Sequence, residues 1–480
     1  MRVLGAFPEA MPSGNSRPPA SLASVALCLA LWFLLPLSSL AGDRRPLSVG
    51  RTSGWKEKTL ILLDVSTKNP VRTVNENFLS LQLDPSIIHD GWLDFLSSKR
   101  LVTLARGLSP AFLRFGGKRT DFLQFQNLRN PAKSRGGPGP DYYLKNYEDE
   151  PNNYRTMHGR AVNGSQLGKD YIQLKSLLQS IKIYSRASLY GPNIGRPRKN
   201  VIALLDGFMK VAGSMVDAVT WQHCYIDGRV VKVMDFLKTR LLDTLSDQIR
   251  KIQKVVNTYT PGKKIWLEGV LTTSAGGTNN LSDSYAAGFL WLNTLGMLAN
   301  QGIDVVIRHS FFDHGYNHLV DQNFNPLPDY WLSLLYKRLI GPKVLAVHVA
   351  GLQRKPRPGR VIRDKLRIYA HCTNHHNHNY VRGSITLFII NLHRSRKKIK
   401  LAGTLRDKLV HQYLLQPYGQ EGLKSKSVQL NGQPLVMVDD GTLPELKPRP
   451  LRAGRTLVIP PVTMGFYVVK NVNALACRYR

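Results

Sequence analysis

Two acidic positions decide what chemistry this chain could perform. Trp266-Leu267-Glu268-Gly269 closes residues 265–267, an apolar run with the make-up of a short strand. A glutamate at a strand end is what a retaining glycoside hydrolase uses as nucleophile, with a second carboxyl about 5 Å away as acid/base. Glu150, in the turn Asp149-Glu150-Pro151, is the candidate for the second role, although by residue type alone it is an ordinary loop glutamate. Side chains alternate faces along a strand, so shifting an acid by one position turns it to the other side. Which of positions 268 and 269 carries the acid therefore matters.

Other groupings are less specific. His371, His375, His376 and His378 crowd one segment with Asn374, Asn377 and Asn379. Without an acidic or cysteine partner at firm spacing, they read as a polar loop that gains charge below neutral pH, and no metal site is expected. His309, His314 and His318 follow the last strand of the α/β part and either line a cleft or serve structure. Ala275-Gly276-Gly277 lacks the lysine and hydroxyl of a phosphate loop. No cofactor is expected.

Lys and Arg total 66 against 32 Asp and Glu, a formal charge of +34 that calls for an anionic partner. Residues 22–40 form an apolar stretch ending in Ser39-Leu40-Ala41, a small-x-small cleavage pattern. Residues 1–41 therefore read as a secretory signal, and no later run is long and apolar enough to span a bilayer. For a secreted chain the polyanion is a sulfated polysaccharide or membrane surface rather than nucleic acid. Three basic runs are candidates for heparin: Arg196, Arg198 and Lys199; Arg354, Lys355, Arg357 and Arg360; and Arg394, Arg396, Lys397, Lys398 and Lys400. Secretion licenses disulfides. Cys372 and Cys477 share the C-terminal strand-rich region and are paired, leaving Cys224 over. Asn163 and Asn280 head glycosylation sequons.

The elements that must position these groups fall into two regions. Residues 59–65, 78–84 and 111–117 read as strands, 78–84 alternating as a half-buried strand does. Residues 128–150 read as loop. From Gly164 strands and helices alternate, with an amphipathic helix through Leu237, Leu241, Leu245, Ile249, Ile252 and Val256 and a largely buried helix over 281–298 capped by Ser282. That alternation indicates a parallel α/β layer. After Lys343 only short strands between turns remain, the pattern of a β-sandwich. The expected layout is a signal over 1–41, an α/β domain over 42–340 whose first strand or strands join the sandwich, and the sandwich over 341–480.

Several stretches together resemble the heparanase family, most closely its non-cleaving branch. They include Thr103-Leu104-Ala105-Arg106-Gly107-Leu108-Ser109-Pro110, Leu113-Arg114-Phe115-Gly116-Gly117, Val219-Thr220-Trp221-Gln222-His223, the Trp266 strand, residues 321–335, Asn374, residues 425–431 and the Cys372/Cys477 placement. The resemblance implies an α/β fold built as a (β/α)8 TIM-type barrel with a C-terminal β-sandwich, an endo-β-glucuronidase chemistry and heparan sulfate as ligand. It also implies Glu150 as acid/base and position 269 as nucleophile. The family order there is Gly-Glu; here it is Glu268-Gly269, a displaced nucleophile. Asp149 replaces the asparagine that in relatives holds the sugar 2-hydroxyl. Only residues 118–149 separate the Arg114 strand from the Asp149-Glu150-Pro151 turn, where a βαβ unit takes about thirty residues or more. About two βα units are missing, which implies a shortened, alternatively spliced variant with exposed strand edges.

Two functions follow. One is a secreted, non-catalytic protein of the matrix and cell surface that binds heparan sulfate and antagonises active heparanase. The other is a working retaining endo-β-glucuronidase using Glu150 and Glu268, which needs a bulge to re-aim Glu268. A third reading is a chain held in the secretory pathway because it misfolds.

Overall fold

The computed structural model describes residues 60–84, 97–117, 163–274, 276–312, 315–350 and 365–479. The signal segment 1–41, Glu150, His314 and the run Arg354, Lys355, Arg357 and Arg360 lie outside them. β1 (Ile61–Val65) and β2 (Arg72–Thr73) come first, and both pair with strands of the C-terminal sandwich. Six strands follow in a separate sheet: β3 (Leu79–Leu83), β4 (Leu113–Phe115), β5 (Tyr190–Ile194), β6 (Ala218–Ile226), β7 (Lys264–Thr273) and β8 (Val305–Phe312). All are parallel, in the order β4-β3-β8-β7-β6-β5. The pairing of β8 with β3 joins the last strand to the first, as barrel closure requires. Among the described residues the sheet is open between β4 and β5, on either side of the segment where the sequence runs short.

Helices α1 (Lys99–Gly107), α2 (Gly164–Ser180), α3 (Lys199–Ala212), α4 (Thr239–Tyr259), α5 (Ala287–Asn300) and α6 (Pro328–Leu339) cover the outer face. α4 buries Leu242, Leu245, Ile249, Ile252 and Val256, one apolar stripe at helical spacing. α5 is buried on every side from Ala287 to Ala299, because it lies between the parallel sheet and the sandwich. It begins at Ala287, and Ser282 does not cap it: its hydroxyl accepts from the Thr278 amide instead. β3 is buried at all five positions, so the alternation of residues 78–84 reflects two covered faces rather than one wet one.

The sandwich comprises β9 (Ile340–Leu345), β10 (Val347–Ala350), β11 (Leu366–Thr373), β12 (Ile385–Asn391), β13 (Lys397–Leu401), β14 (Val410–Pro417), β15 (Val428–Leu430), β16 (Gln433–Pro434), β17 (Arg449–Leu451), β18 (Leu457–Ile459) and β19 (Thr463–Val469). A small sheet, β10-β1-β13-β18, faces a large one, β16-β15-β14-β19-β12-β11-β9-β2, in which β17 also pairs with β14. Ile385, Leu387 and Ile389 of β12 fill the space between the sheets, while Phe388 and Ile390 point the other way into the core shared with the helices. Cys372 and Cys477 are bonded, their Cα atoms 5.4 Å apart, tying the C-terminal segment to β11.

The histidine-rich segment divides. His371 is a buried strand residue of β11 whose Nδ1 donates to the Gly341 carbonyl at 2.9 Å. The following turn caps α6: the Asn374 and Asn377 side-chain amides donate to the Lys337 and Arg338 carbonyls at 2.7 and 2.9 Å. Burial pushes the His371 imidazole down to about 4 from 6.5. A depressed folded-state pKa means the unfolded chain binds the extra proton first, so this group's stabilisation is complete above about pH 6.5 and lost on acidification towards pH 4. At about 1.4 kcal/mol per pH unit, His371→Gln should remove about 2–3 kcal/mol of the stability lost between those limits. Denaturant unfolding at pH 7 and pH 4.5, comparing the pH dependence of the two proteins, checks this.

Candidate functional site

The C-terminal ends of the six parallel strands converge on the concave side of the sheet. Its lower layer is apolar. Trp266 of β7 stacks on Tyr190 of β5 with centroids 4.3 Å apart and on Phe112, next to β4, at 5.3 Å. One ring from the middle of the sheet thus touches residues of both edges, which fixes the curl. Ala218, Val305 and Ile307 complete this layer.

Two residues further along β7, Glu268 lies on the same face as Trp266. Its register partner is Ile307, and the next pair is Val270 with Arg308, so Gly269 is one extra residue, a β-bulge. Gly269 adopts φ +96°, a conformation that favours glycine. A β-carbon placed on it would approach Gln222 Cγ and Gln82 Oε1, each at 3.6 Å, on the same concave side. The expectation that positions 268 and 269 face opposite ways is therefore corrected: alternation holds for a regular strand, and the bulge aims both at the mouth.

Glu268 is not free there. Its Oε1 accepts from Arg114 Nε at 2.9 Å, and both side chains are largely buried. Arg114 Nη1 donates to Gln82 Oε1 at 2.7 Å, and Gln82 Nε2 donates to the Gly116 carbonyl at 2.7 Å and meets His309 Nδ1 at 2.6 Å. With its amide turned to face these donors, Asn193 Oδ1 accepts from Arg114 Nη2 at 3.1 Å and from Gln222 Nε2 at 2.8 Å; its nitrogen donates to the Glu268 carbonyl at 3.1 Å. Every strand of the sheet supplies one member: Gln82, Arg114, Asn193, Gln222, Glu268 and His309. Tyr171 of α2 stands nearby, its hydroxyl pushed up first by burial and then by the Glu268 charge.

Within this hydrogen-bonded network of described residues the carboxylate is that of Glu268, already held by a guanidinium. Retaining hydrolysis needs a second carboxyl, and Glu150, to which the resemblance assigns that role, lies outside the described residues.

The other sequence-derived candidates are spread over the surface. Arg196, Arg198 and Lys199 are exposed where β5 leads into α3, on the rim of the mouth. Arg394, Arg396 and Lys398 are exposed in the β12–β13 hairpin of the sandwich, whereas Lys397 and Lys400 are half-buried and Lys400 Nζ donates to the Gly454 carbonyl. Asn163 is exposed and caps α2 through Oδ1; Asn280 is exposed in a turn. Burial pushes the Cys224 thiol up to about 12, which leaves it unreactive near neutrality. Residue reasoning missed Gln82, Asn193 and Gln222, and gave Arg114 no role. A signal was present: Leu81-Gln82-Leu83, Leu113-Arg114-Phe115 and Trp221-Gln222 each set a polar residue into an apolar strand.

No family model matches the chain. It is 78% identical to the human protein named inactive heparanase-2 over 592 aligned positions that cover all of both chains. Against the 480 residues here, that length leaves at least 112 positions with no counterpart. It is 37% identical to mouse heparanase over 546 positions, covering 94% of this chain and 99% of that one. Among solved structures, a 4-O-α-L-rhamnosyl-β-D-glucuronidase from Fusarium oxysporum superposes with a TM-score of 0.58 at 12% identity, covering 85% of this chain and 100% of that chain. At that identity the likeness speaks to the fold, a (β/α)8-like domain with a β domain.

Exchanging the two residues, Glu268→Gly with Gly269→Glu, should not create a hydrolase. A glutamate at position 269 would have to adopt φ +96° or flatten the bulge, at about 1–3 kcal/mol, and Arg114 would lose its partner. The expected outcome is a destabilised protein that releases no fragments from heparan sulfate on sizing chromatography. Turnover by this variant would overturn that reading of the site.

Proposed function

The chain belongs to the heparanase family, and we propose that it is a secreted, non-catalytic member that binds heparan sulfate and competes for it with active heparanase. The observation that carries the loss of catalysis is the engaged Glu268. The carboxylate of the nucleophile strand is paired with Arg114, in a sheet that among the described residues is open between β4 and β5. A nucleophile must be available to attack the anomeric carbon, and a carboxylate neutralised by a guanidinium and anchored through its backbone to Asn193 is a poor one. The relatives named inactive heparanase-2 support the same reading. The bulge that turns Glu268 inward favours the alternative, a working endo-β-glucuronidase; the ion pair and the short stretch of sequence between β4 and Glu150 weigh against it.

Binding is supported by charge. The chain carries a formal +34, and Arg394, Arg396 and Lys398 are exposed on the β12–β13 hairpin of the sandwich. Secretion, by the segment 1–41, would place this surface among sulfated glycans. Glycosylation at Asn163 and Asn280 fits the same route, and both side chains are exposed. Among the described residues no helix is long and apolar enough to cross a membrane.

The chain should be retained on heparin beyond physiological salt, with affinity falling steeply as salt rises. The combined variant Arg394→Ala, Arg396→Ala, Lys398→Ala should elute earlier and lower the slope of log affinity against log salt by about 2–3, one for each lost anion contact. Lys400 is left in place because it anchors Gly454. Wild-type elution below physiological salt would sink the binding proposal; unchanged retention of the folded variant would move the contact to another basic run.

A further inference from the structure

We infer that the Arg114 guanidinium is a carboxylate receptor that the chain keeps filled with its own Glu268, and that it takes a small external carboxylate, such as that of a uronate, once Glu268 is removed. The inference rests on the barrel mouth and not on the surface runs proposed to hold heparin, so the two can fail separately.

The donors of Arg114 divide by the charge of their partners. Nη1 and Nη2 are taken by neutral amide oxygens, of Gln82 and Asn193, and these two residues hold the planar fork in place from opposite sides. Nε alone faces a charge, Glu268 Oε1 at 2.9 Å. The amides fix the orientation and Glu268 supplies the anion. A guanidinium on a side chain only 21% exposed, with its orientation set by groups other than its anion, is a pre-organised receptor: little ordering is left for the anion to pay for.

Space and access fit a small occupant. Beside the pair, a β-carbon on Gly269 would stand in ordinary contact, 3.6 Å, with Gln222 and Gln82, both able to hydrogen-bond a carboxylate or sugar hydroxyl, and the room for an occupant is the volume the Glu268 carboxylate vacates. Arg114 and Asn193 come from the two edge strands, and among the described residues no strand intervenes between them. Truncating Glu268 to alanine deletes the anion and leaves room for it, while the amides that aim the guanidinium remain. In the native chain the tethered carboxylate outcompetes a free one because its effective concentration is far higher.

The test is thermal unfolding of the full chain in sodium formate, sodium acetate or sodium glucuronate, against sodium chloride at equal ionic strength and neutral glucose. The wild type should respond to all the salts alike. Glu268→Ala should melt lower than wild type and be raised by several degrees, saturably, by the carboxylates, with half-effect at a concentration at least tenfold below any effect of chloride. Glu268→Gln, whose amide fills the space, and the double variant Arg114→Met with Glu268→Ala should show no carboxylate selectivity. An equal response of Glu268→Ala to formate and chloride, or a selective response that persists without Arg114, overturns the inference. Should Glu268→Ala fail to fold, refolding yield with and without formate gives the answer: recovery only with formate supports it, equal yields overturn it. Heparin retention of the same proteins, read alongside, reports on the surface runs alone.

Discussion

The six described strands of the parallel sheet form a curled layer whose curvature needs something across its hollow to hold it. Here two layers do this. Trp266 stacks against Phe112 and Tyr190, bringing both edges to one ring, and each such aromatic contact adds about 0.5–1.5 kcal/mol beyond the area it buries. Above it Arg114, rooted in one edge strand, reaches Glu268 in the middle of the sheet and Asn193 on the other edge. The carboxylate whose position suggests chemistry is thereby a structural element. Its charge is used to fasten a strand, and this is why its chemical and mechanical roles cannot be separated by looking at one residue.

The side of the barrel that is complete is the side that carries the rest of the protein. α5 and α6 follow β7 and β8 and pack directly against the large sheet of the sandwich. Arg367 of β11 pairs with Asp243 of α4 at 2.7 Å and with Asn293 of α5, and Tyr369 donates to the same Asn293. Arg308 of β8 pairs with Asp329 of α6 at 2.9 Å, both fully buried, under the Trp291 ring. Such pairs contribute more to fixing a unique arrangement than to net stability. The open edges lie away from this interface. There α2 fully buries only Gly164 and Gly168, with Leu167, Tyr171, Ile172 and Leu178 half-buried against the core, and a β-carbon on Gly164 would stand 2.0 Å from the Leu204 carbonyl oxygen of α3. Leu174 and Leu177 on α2, Ile183 just after it, and Leu113 and Phe115 on β4 are exposed.

The architecture was legible because its signals are long and periodic. The stripe of α4, the uninterrupted apolar residues of α5 and the change to short strands after Lys343 needed no partner to be read. The Cys372–Cys477 bond followed from two cysteines sharing one region. The site was less legible, for a local reason. Alternation places Glu268 correctly relative to Trp266 but is silent about an inserted residue, and a bulge is specified by the register of two strands together. Arg114 stands in a short apolar strand and has no role until the fold brings its neighbour β3 and the distant β5 and β7 to it. His371 was grouped with its exposed neighbours because a histidine in a β-strand looks, in sequence, like a histidine in a loop.

The pairing of β1 with β13 has a consequence for the order in which the protein can be completed. Residues 61–65 leave the ribosome more than 300 residues before their parallel partner, residues 397–401, exists. The first strand of the chain must wait, unpaired and rich in isoleucine, leucine and valine, while the entire parallel sheet is synthesised and can assemble. The sandwich therefore finishes after translation, and with it the seat of α5 and α6. For this chain, the interval between synthesis of the N-terminal strand and closure of the small sheet is the period in which escort by chaperones matters most.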